Sequence, residues 1–568
     1  MRSTAKKLLR TVAAVILGAL SGFCAQALAA QPPSAQELQR LAAAQQWGEI
    51  AQLLAPALSR TAEMDYYYGI ALARLNRWTE AASALEAGRR AAPADARFPV
   101  ELAGIAFTLK NYPLAAHRLR QALKLEPDDN YADNFLATVY FLEGNLEASL
   151  KYWNRVGKPA IAEVREDPVP SVSPALLDHA FAFAPASTLR LPQYLTTDAR
   201  IDGLGIFPHY QFDLEARNDG KFDVVFRNRE LDGLGDSKWE AVLLSLRGLP
   251  FQEVNPSYYN FHRQAINFES MFRWDAQKQR IFAELSWPFE NGAKYRWSVR
   301  TDLRDENWAL RDSFAGPAPV LASFNMRSEL LTFDLASYTN ARFNWSAGAE
   351  LSRRDFRSVV AGKVLTQQML AKGYELKQQA QLDGVLWRAP EHRFTVNAGI
   401  ASQAARLWSQ PEESFEKLTG SLGWHWFPQA AGNDYEMQQR IRAGRTLGQP
   451  PFDELFILGL ERDNNLPMRA HIGTRDGRKG SAPLGRDYFL HSWEMDKNLY
   501  GNGLATVQAG PLLDIGKIAD PTTALGSHKW LFDTGAQAKL RVFGTGIVFS
   551  YGKDLRSGNN AFYVSLLE

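Results

Sequence analysis

The feature that most constrains this chain is an alternation of apolar and polar residues that recurs from about residue 236 to residue 568. Successive side chains of a strand point to opposite faces, so such runs describe a sheet with two unlike faces. Before a long interruption the alternation occupies 239–249, 262–274, 279–289, 293–303, 323–338, 342–352, 375–387, 392–401, 415–426 and 435–447. After it come 487–499, 504–515, 529–542, 545–551 and 560–567. Most runs reach about ten residues, which is what a tilted strand needs to cross a hydrocarbon layer. Twelve of the fifteen tryptophans lie in this region, as expected of aromatic belts at two membrane interfaces. Beyond the first thirty residues no apolar run reaches the ~18 residues of a spanning helix. A polytopic helical membrane protein is therefore excluded, and the region predicts an antiparallel transmembrane β-barrel. A soluble sandwich or propeller explains the alternation but not the strand lengths.

Connector lengths support the same reading. Gly501-Asn502-Gly503 and Phe543-Gly544 read as tight turns, whereas 517–528 and about 448–486 are long. In outer-membrane barrels the short turns face the periplasm and the long loops face outward. Five runs follow the longest loop, so an odd number must precede it if both chain ends are periplasmic. Ten are recognisable. The eleventh is expected within 304–321, around Asn307-Trp308-Ala309-Leu310, which makes sixteen strands.

The first thirty residues read as an export signal. Arg2, Lys6, Lys7 and Arg10 precede a short apolar stretch from Thr11 to Leu20, and Ala27-Leu28-Ala29 supplies small residues for cleavage. The only cysteine, Cys24, lies inside this signal, and Phe23 stands where a lipoprotein site needs a small residue. The mature chain then has no thiol and no disulfide, and 60 basic residues stand against 62 acidic ones. A near-neutral balance argues against a nucleic-acid partner, because phosphates demand a basic excess.

Residues 31–158 are rich in Ala and Leu with helical spacing. Trp78-Thr79-Glu80-Ala81-Ala82 and Tyr112-Pro113-Leu114-Ala115-Ala116 stand 34 residues apart, as do Pro93 and Pro127. A third unit at Gly144-Asn145-Leu146-Glu147-Ala148 reads as one residue short, and Trp47-Gly48-Glu49-Ile50-Ala51 as a degenerate first unit. A 34-residue helix–turn–helix period is that of tetratricopeptide (TPR) repeats, an α-solenoid. Trp78, Ala81, Tyr112 and Ala115 are then repeat core, with small residues where helices approach closely. Such an array offers a concave surface to a protein partner, or serves as a spacer.

Residues 159–232 change character. A strand over 160–166, helices over 173–183 and 191–202, and a hairpin around Asn218-Asp219-Gly220 give the order β-α-α-β-β. That order between a repeat array and a strand-rich region resembles a POTRA (polypeptide-transport-associated) domain.

The long loop carries Pro451-Phe452-Asp453-Glu454-Leu455-Phe456-Ile457-Leu458-Gly459 and then Leu466-Pro467-Met468-Arg469-Ala470-His471; Leu512-Leu513-Asp514-Ile515-Gly516 lies on a later strand. Here the chain resembles the BamA/TamA superfamily of POTRA-plus-barrel outer-membrane proteins. Met468-Arg469-Ala470-His471 is similar to the family's (V/L)RG(F/Y) loop motif. Leu512, Asp514 and Gly516 fall on its FxDxG strand motif, and Glu494 on the strand between them matches an inward glutamate. Ala470, His471 and Leu512 depart from the pattern. The resemblance implies a loop latched inside the barrel by Arg469, Asp514, Gly516, Leu512 and Glu494. A guanidinium gripped bidentately by a carboxylate suits such a latch, and Gly516 is expected to let the loop backbone approach the wall. It also implies a weak seam between the first and last strands. The last strand is short and ends in Glu568 without the usual terminal aromatic, although Phe562 and Tyr563 lie close.

No hydrolase, phosphate-binding or dinucleotide motif appears, and Asp533-Thr534-Gly535 is a chance match to an aspartic-protease triplet. The nine histidines lack metal-ligand spacing. No enzyme activity, cofactor or metal is expected. The expected role is to insert or translocate a client polypeptide at the outer membrane, among lipid, with periplasmic TPR and POTRA domains recruiting client or partner. A passive pore or surface receptor with periplasmic adaptor domains is the alternative.

Overall fold

A computed structural model of the chain describes residues 33–57, 59–234, 248–311, 318–409, 412–429, 432, 434–501, 505–520, 525, 529–542 and 545–567. The expected export signal and most of the expected first strand, 239–249, lie outside these residues. So do Asn502-Gly503 and Phe543-Gly544 of the two tight turns. The chain forms two compact units, residues 1–139 and 140–568.

The first unit is helical: α1 (Ala35–Ala43), α2 (Trp47–Leu54), α3 (Ala62–Arg74), α4 (Trp78–Ala91), α5 (Arg97–Thr108), α6 (Tyr112–Leu125) and most of α7 (Asn130–Leu142). The Ser34 and Thr61 side chains accept hydrogen bonds from the Glu37 and Met64 amides and so start α1 and α3. Each hairpin turn holds one residue in the left-handed region. Asn76, Lys110 and Gly144 (φ 61°, 57° and 68°) stand at the same place in three successive units, so the third unit keeps the full 34-residue spacing. It had looked short because Leu146 takes the aromatic's place and buried Ser149 the alanine's. Ala81 and Ala115 are fully buried. Trp78 packs against the core formed by Ile50, Leu72 and Leu85, and Tyr112 lies 5.7 Å from the ring of Phe107.

The second unit opens with the end of α7 and with α8 (Leu146–Trp153), followed by a three-stranded sheet. Its strands are β1 (Ile161–Asp167), β2 (His209–Ala216) and β3 (Phe222–Arg229), in the order β1-β3-β2 with β1 parallel to β3. Helices α9 (Pro174–Ala180) and α10 (Leu191–Leu204) separate β1 from β2. Phe212 and Phe226 stack in its core with centroids 5.1 Å apart.

The remainder is one antiparallel sheet with the strand order of a barrel. It comprises β4 (Glu253–Val254), β5 (Ser257–Phe261), β6 (Ile266–Asp275), β7 (Lys278–Pro288), β8 (Tyr295–Arg311), β9 (Val320–Ser337), β10 (Phe343–Val360), β11 (Gly373–Ala389), β12 (Phe394–Trp408), β13 (Glu413–Trp426) and β14 (Tyr435–Gly448). The loop carries the short β15 (Phe456–Ile457), β16 (Thr474–Arg475), β17 (Arg478–Lys479) and β18 (Leu484–Gly485). Then follow β19 (Asp487–Gly501), β20 (Ala505–Ala519), β21 (Leu531–Val542), β22 (Thr545–Asp554) and β23 (Asn560–Leu567). β14 pairs directly with β19 across the base of the loop.

The extra strand is not where the sequence predicts it. Asn307–Leu310 simply prolongs β8, which pairs with β9 along its whole length. The missed strand is β4 with β5, both of which pair with β6. Its alternation is broken by Asn255, Pro256 and a bulge, and Asn260, His262, Arg263 and Ala265 turn with positive φ. Those four residues make a tight turn, and His262, Arg263 and Ala265 fall in the run 262–274 that the alternation assigns to a strand.

Polarity in this sheet is the reverse of a soluble core. On β11, Glu375 and Lys377 are 0% and 5% exposed, whereas Tyr374 and Leu376 are 54% and 40% exposed. Ile400, Leu331 and Phe562 likewise point outward. A wall with polar side chains inside and apolar ones outside suits lipid around it and a wet lumen within. No helix among the described residues is long and apolar enough to cross a membrane.

One end of the sheet carries the three-stranded domain. The Ser173 amide donates to the Arg263 carbonyl (2.7 Å), and Asn267 Nδ2 donates to the Leu204 carbonyl (3.1 Å). His179 meets the Asn291 carbonyl, and Gly203 lies against the Tyr338 ring. Asn145 donates to the Pro390 carbonyl, and Lys151 pairs with Glu391 at 2.9 Å. Arg263, Asn291, Tyr338, Pro390 and Glu391 sit in turns at one end, with Asn267 beside them at the start of β6, so the opposite connectors, including 449–486, leave from the far end.

Candidate functional site

The candidate site is the loop 449–486, which returns into the lumen and is anchored there. Arg469 is 5% exposed. Its Nε and Nη2 donate to the two oxygens of Asp514 at 2.8 and 2.6 Å, and its own amide adds a third bond at 3.1 Å. Nη1 donates to Glu494 and, at 3.1 Å, to Gln537. Glu494 also accepts from Gln438 (2.9 Å), Gln537 (2.7 Å) and Lys539 (2.9 Å). Strand alternation places 512, 514 and 516 on one face, and all the guanidinium's donors reach strands β19 to β21. Arg469, Asp514 and Glu494 thus meet. Leu512 is buried on the same face with Glu494 and Gly535 as its cross-strand neighbours.

Gly516 has a different role from the expected one. A Cβ there would lie 2.3 Å from Met468 Sδ and 2.8 Å from Leu458 Cδ2, so it makes room for two side chains of the loop rather than for its backbone. The close backbone approach is at Gly552 on β22, where a Cβ would lie 2.1 Å from the Arg469 carbonyl oxygen. The loop turns its main chain toward β22 because Arg469 points its side chain the other way.

Two further anchors went unrecognised in the sequence. Asp463 accepts from Arg273 at 2.8 and 3.2 Å and from Arg280 at 2.5 Å. Arg280 in turn grips Asp302 bidentately, and Lys479 pairs with Glu306 at 2.7 Å. This ties the loop to β6, β7 and β8. The third anchor uses Asp453 and Glu454. Arg354 reaches Asp453 (3.0 Å) and Glu375 (2.7 Å), while Lys377 reaches Glu454 (2.6 Å) and Glu350 (2.9 Å). Lys417 adds a bond to Glu454 at 3.1 Å. Beside them Phe452 packs edge-on against both Trp308 and Phe324, at 5.0 and 4.8 Å.

Each anchor obeys the same rule. A charge removed from water must be paired and hydrogen-bonded, or it is expelled. The loop supplies acids where the wall supplies bases, and the reverse at Arg469 and Lys479. The signal that could have revealed the missed anchors is the inward register of charged residues within long strands, such as Arg354, Glu375 and Lys377.

The loop also contains a small hairpin. Asp476-Gly477, both with positive φ, joins β16 to β17, which is the two-residue turn favoured by a right-handed strand twist. A fourth contact lies beside Arg469: the Ala470 amide donates to Asp533 at 2.7 Å, and His471 Nδ1 lies 3.0 Å from the same oxygen. One segment therefore touches β6 to β11, β13 and β19 to β22, which only a sheet curled around it permits.

No family model matches the chain, and no curated protein matches it. Among solved structures, BamA from Haemophilus ducreyi lacking POTRA domains 1–3 is 9% identical, over 72% of this chain and 84% of that one, with a TM-score of 0.42. CdiB from Escherichia coli is 12% identical over 72% and 75%, with a TM-score of 0.45. MamA is 16% identical over 22% of this chain and 79% of its own, with a TM-score of 0.20. Likeness at this level assigns neither family nor function.

Proposed function

We propose that the chain is an outer-membrane β-barrel protein that assembles or translocates a client polypeptide. In this reading the helical repeats and the three-stranded domain are periplasmic, the first recruiting a protein partner and the second offering the edge of β2 to an extended client. The observation that carries the proposal is the loop 449–486, held in the lumen by paired charges on three sides. A wall that fills its own lumen with an anchored loop is not built as a standing channel. It suits a barrel whose work is done when the plug or the wall rearranges. The motif residues Arg469, Asp514 and Glu494, through which the sequence resembles the BamA/TamA superfamily, are among those that hold the plug. No nucleotide is available in the periplasm, so folding of the client outside or in the membrane would supply the driving force.

The test is depletion of the protein followed by outer-membrane and secreted proteomics, with small-solute permeability measured in parallel. Loss of one or a few surface or secreted proteins at unchanged permeability is expected. A change in solute permeability alone would favour the pore or receptor reading.

A further inference from the structure

Three of the loop's anchors are balanced by strong bases. Asp514 and Glu494 face Arg469 and Lys539; Asp463 faces Arg273, Arg280 and Lys479; Asp453 and Glu454 face Arg354, Lys377 and Lys417. The fourth is different. His471 lies between Asp533 on β21 and Asp554 at the end of β22, with Nδ1 3.0 Å from Asp533 Oδ2 and Nε2 3.9 Å from Asp554 Oδ2. The three residues are 2%, 0% and 4% exposed. Among the described residues no lysine or arginine pairs with either carboxylate. One oxygen of Asp533, Oδ1, is buried without a hydrogen-bond partner. Asp554 is held by its own turn, accepting from the Arg556 amide at 2.9 Å and the Ser557 amide at 3.2 Å. One ligand atom from each of the three residues lies within 4.8 Å of the other two.

Two buried carboxylates beside one imidazole leave the cluster short of positive charge. An imidazole nitrogen and carboxylate oxygens are the donor set of a borderline divalent cation. The other acidic cluster, Glu350, Glu375 and Glu454, is already occupied by Arg354, Lys377 and Lys417.

We infer that His471, Asp533 and Asp554 form a binding site for a divalent transition-metal cation of the zinc class, which staples the lumenal loop to β21 and β22. Such a cation would supply the missing charge and add a link between loop and wall that Arg469 does not make. The loop would then resist trypsin at Arg475 and Arg478 better with metal than without.

The test uses the untagged full chain in detergent micelles, stripped by chelator and titrated with zinc chloride at pH 7.5 by calorimetry. One saturable equivalent is expected, weakened at least tenfold in His471→Gln and in Asp554→Asn, with loop cleavage by trypsin slowed by zinc only in the unsubstituted protein. Asparagine at 554 keeps one carbonyl oxygen for the turn, whose two amides use different carboxylate oxygens, and heat-modified gel mobility checks that both variants remain folded. Absence of saturable binding, or binding that survives His471→Gln at the same affinity, would overturn the site. Cleavage that zinc does not slow at pH 7.5 would overturn it too.

Discussion

At the scale of single residues, Arg469 shows how a buried charge becomes a structural device. Four guanidinium N–H bonds and one from its own amide meet carboxylate and amide oxygens, and removing such a partner strands the opposing acids. Loss of one member of a buried pair costs about 3–5 kcal/mol. Arg469→Ala is therefore expected to free the loop, seen as larger bilayer conductance and faster trypsin cleavage at Arg475 and Arg478. Unchanged conductance and cleavage would disprove the latch. The glycines give a sharper contrast. Gly552→Ala sets a methyl against the rigid Arg469 carbonyl, whereas Gly516→Ala meets the flexible end of Met468. The first is expected to loosen the loop more, by about 1–3 kcal/mol, in the same cleavage assay. In the three-stranded domain, Tyr210 Oη donates toward both Asp198 (2.9 Å) and Asp202 (2.7 Å). Burial, then the neighbouring Asp202 and Glu147 charges, pushes Asp198 up to about 6 despite the Tyr210 bond. A carboxyl raised from an unfolded value of about 3.9 favours the folded state fully below that value, and this is lost as pH rises through about 6. Asp198→Asn should thus stabilise the domain on the order of 1–2 kcal/mol at pH 7.5 and hardly at all at pH 4. A melting-temperature gain equal at both pH values would refute this.

At the scale of elements, the helices and long strands were legible because each carries its own period. The 34-residue repeat is visible as Trp78 and Tyr112, and it reappears in the structure as left-handed Asn76, Lys110 and Gly144. Close helix contacts were less legible. Alanines 81 and 115 announce themselves, but Gly88 does not, and a Cβ there would lie 2.3 Å from the buried Phe98 ring. Gly88→Ala gains about 1 kcal/mol of helix propensity, yet it inserts a methyl where none fits. Net loss of helical stability is expected, read as a lower midpoint in the thermal melt followed at 222 nm. An unchanged or higher midpoint would show that the helices separate freely. The strand at 253–261 escapes because its alternation is interrupted by Pro256 and a bulge, although both of its halves pair with β6.

At the scale of the whole molecule, the loop links distant parts of one wall. Arg462 donates to the Phe251 carbonyl (2.9 Å) and Asp463 binds Arg273, while Arg469 to His471 hold β20 to β22. Residues 462–471 therefore join the first strands to the last, the two edges at which the sequence predicts a weak seam. β23 is short, with eight residues against fifteen in β20, so it offers few ladder bonds to a neighbour. Engineered cysteines that cross-link the 239–249 segment to β23 should abolish client assembly under oxidising conditions, with recovery on reduction. Full activity of the cross-linked protein would refute an opening seam.

The sequence by itself determined the classes of structure: helical repeats, a small mixed domain and a sheet with one apolar face. These follow from periods of 3.6, 34 and 2 residues, which are local and survive without knowledge of the fold. It also singled out Arg469, Asp514 and Glu494, through short motifs. Only the tertiary structure decided what Asp463, Asp453, Glu454 and His471 do. Their partners lie as far as 190 residues away, and no local pattern records which inward-facing charge a returning loop will meet. That choice is made when the sheet curls, because a desolvated charge is stable only where an opposite one has been brought to it.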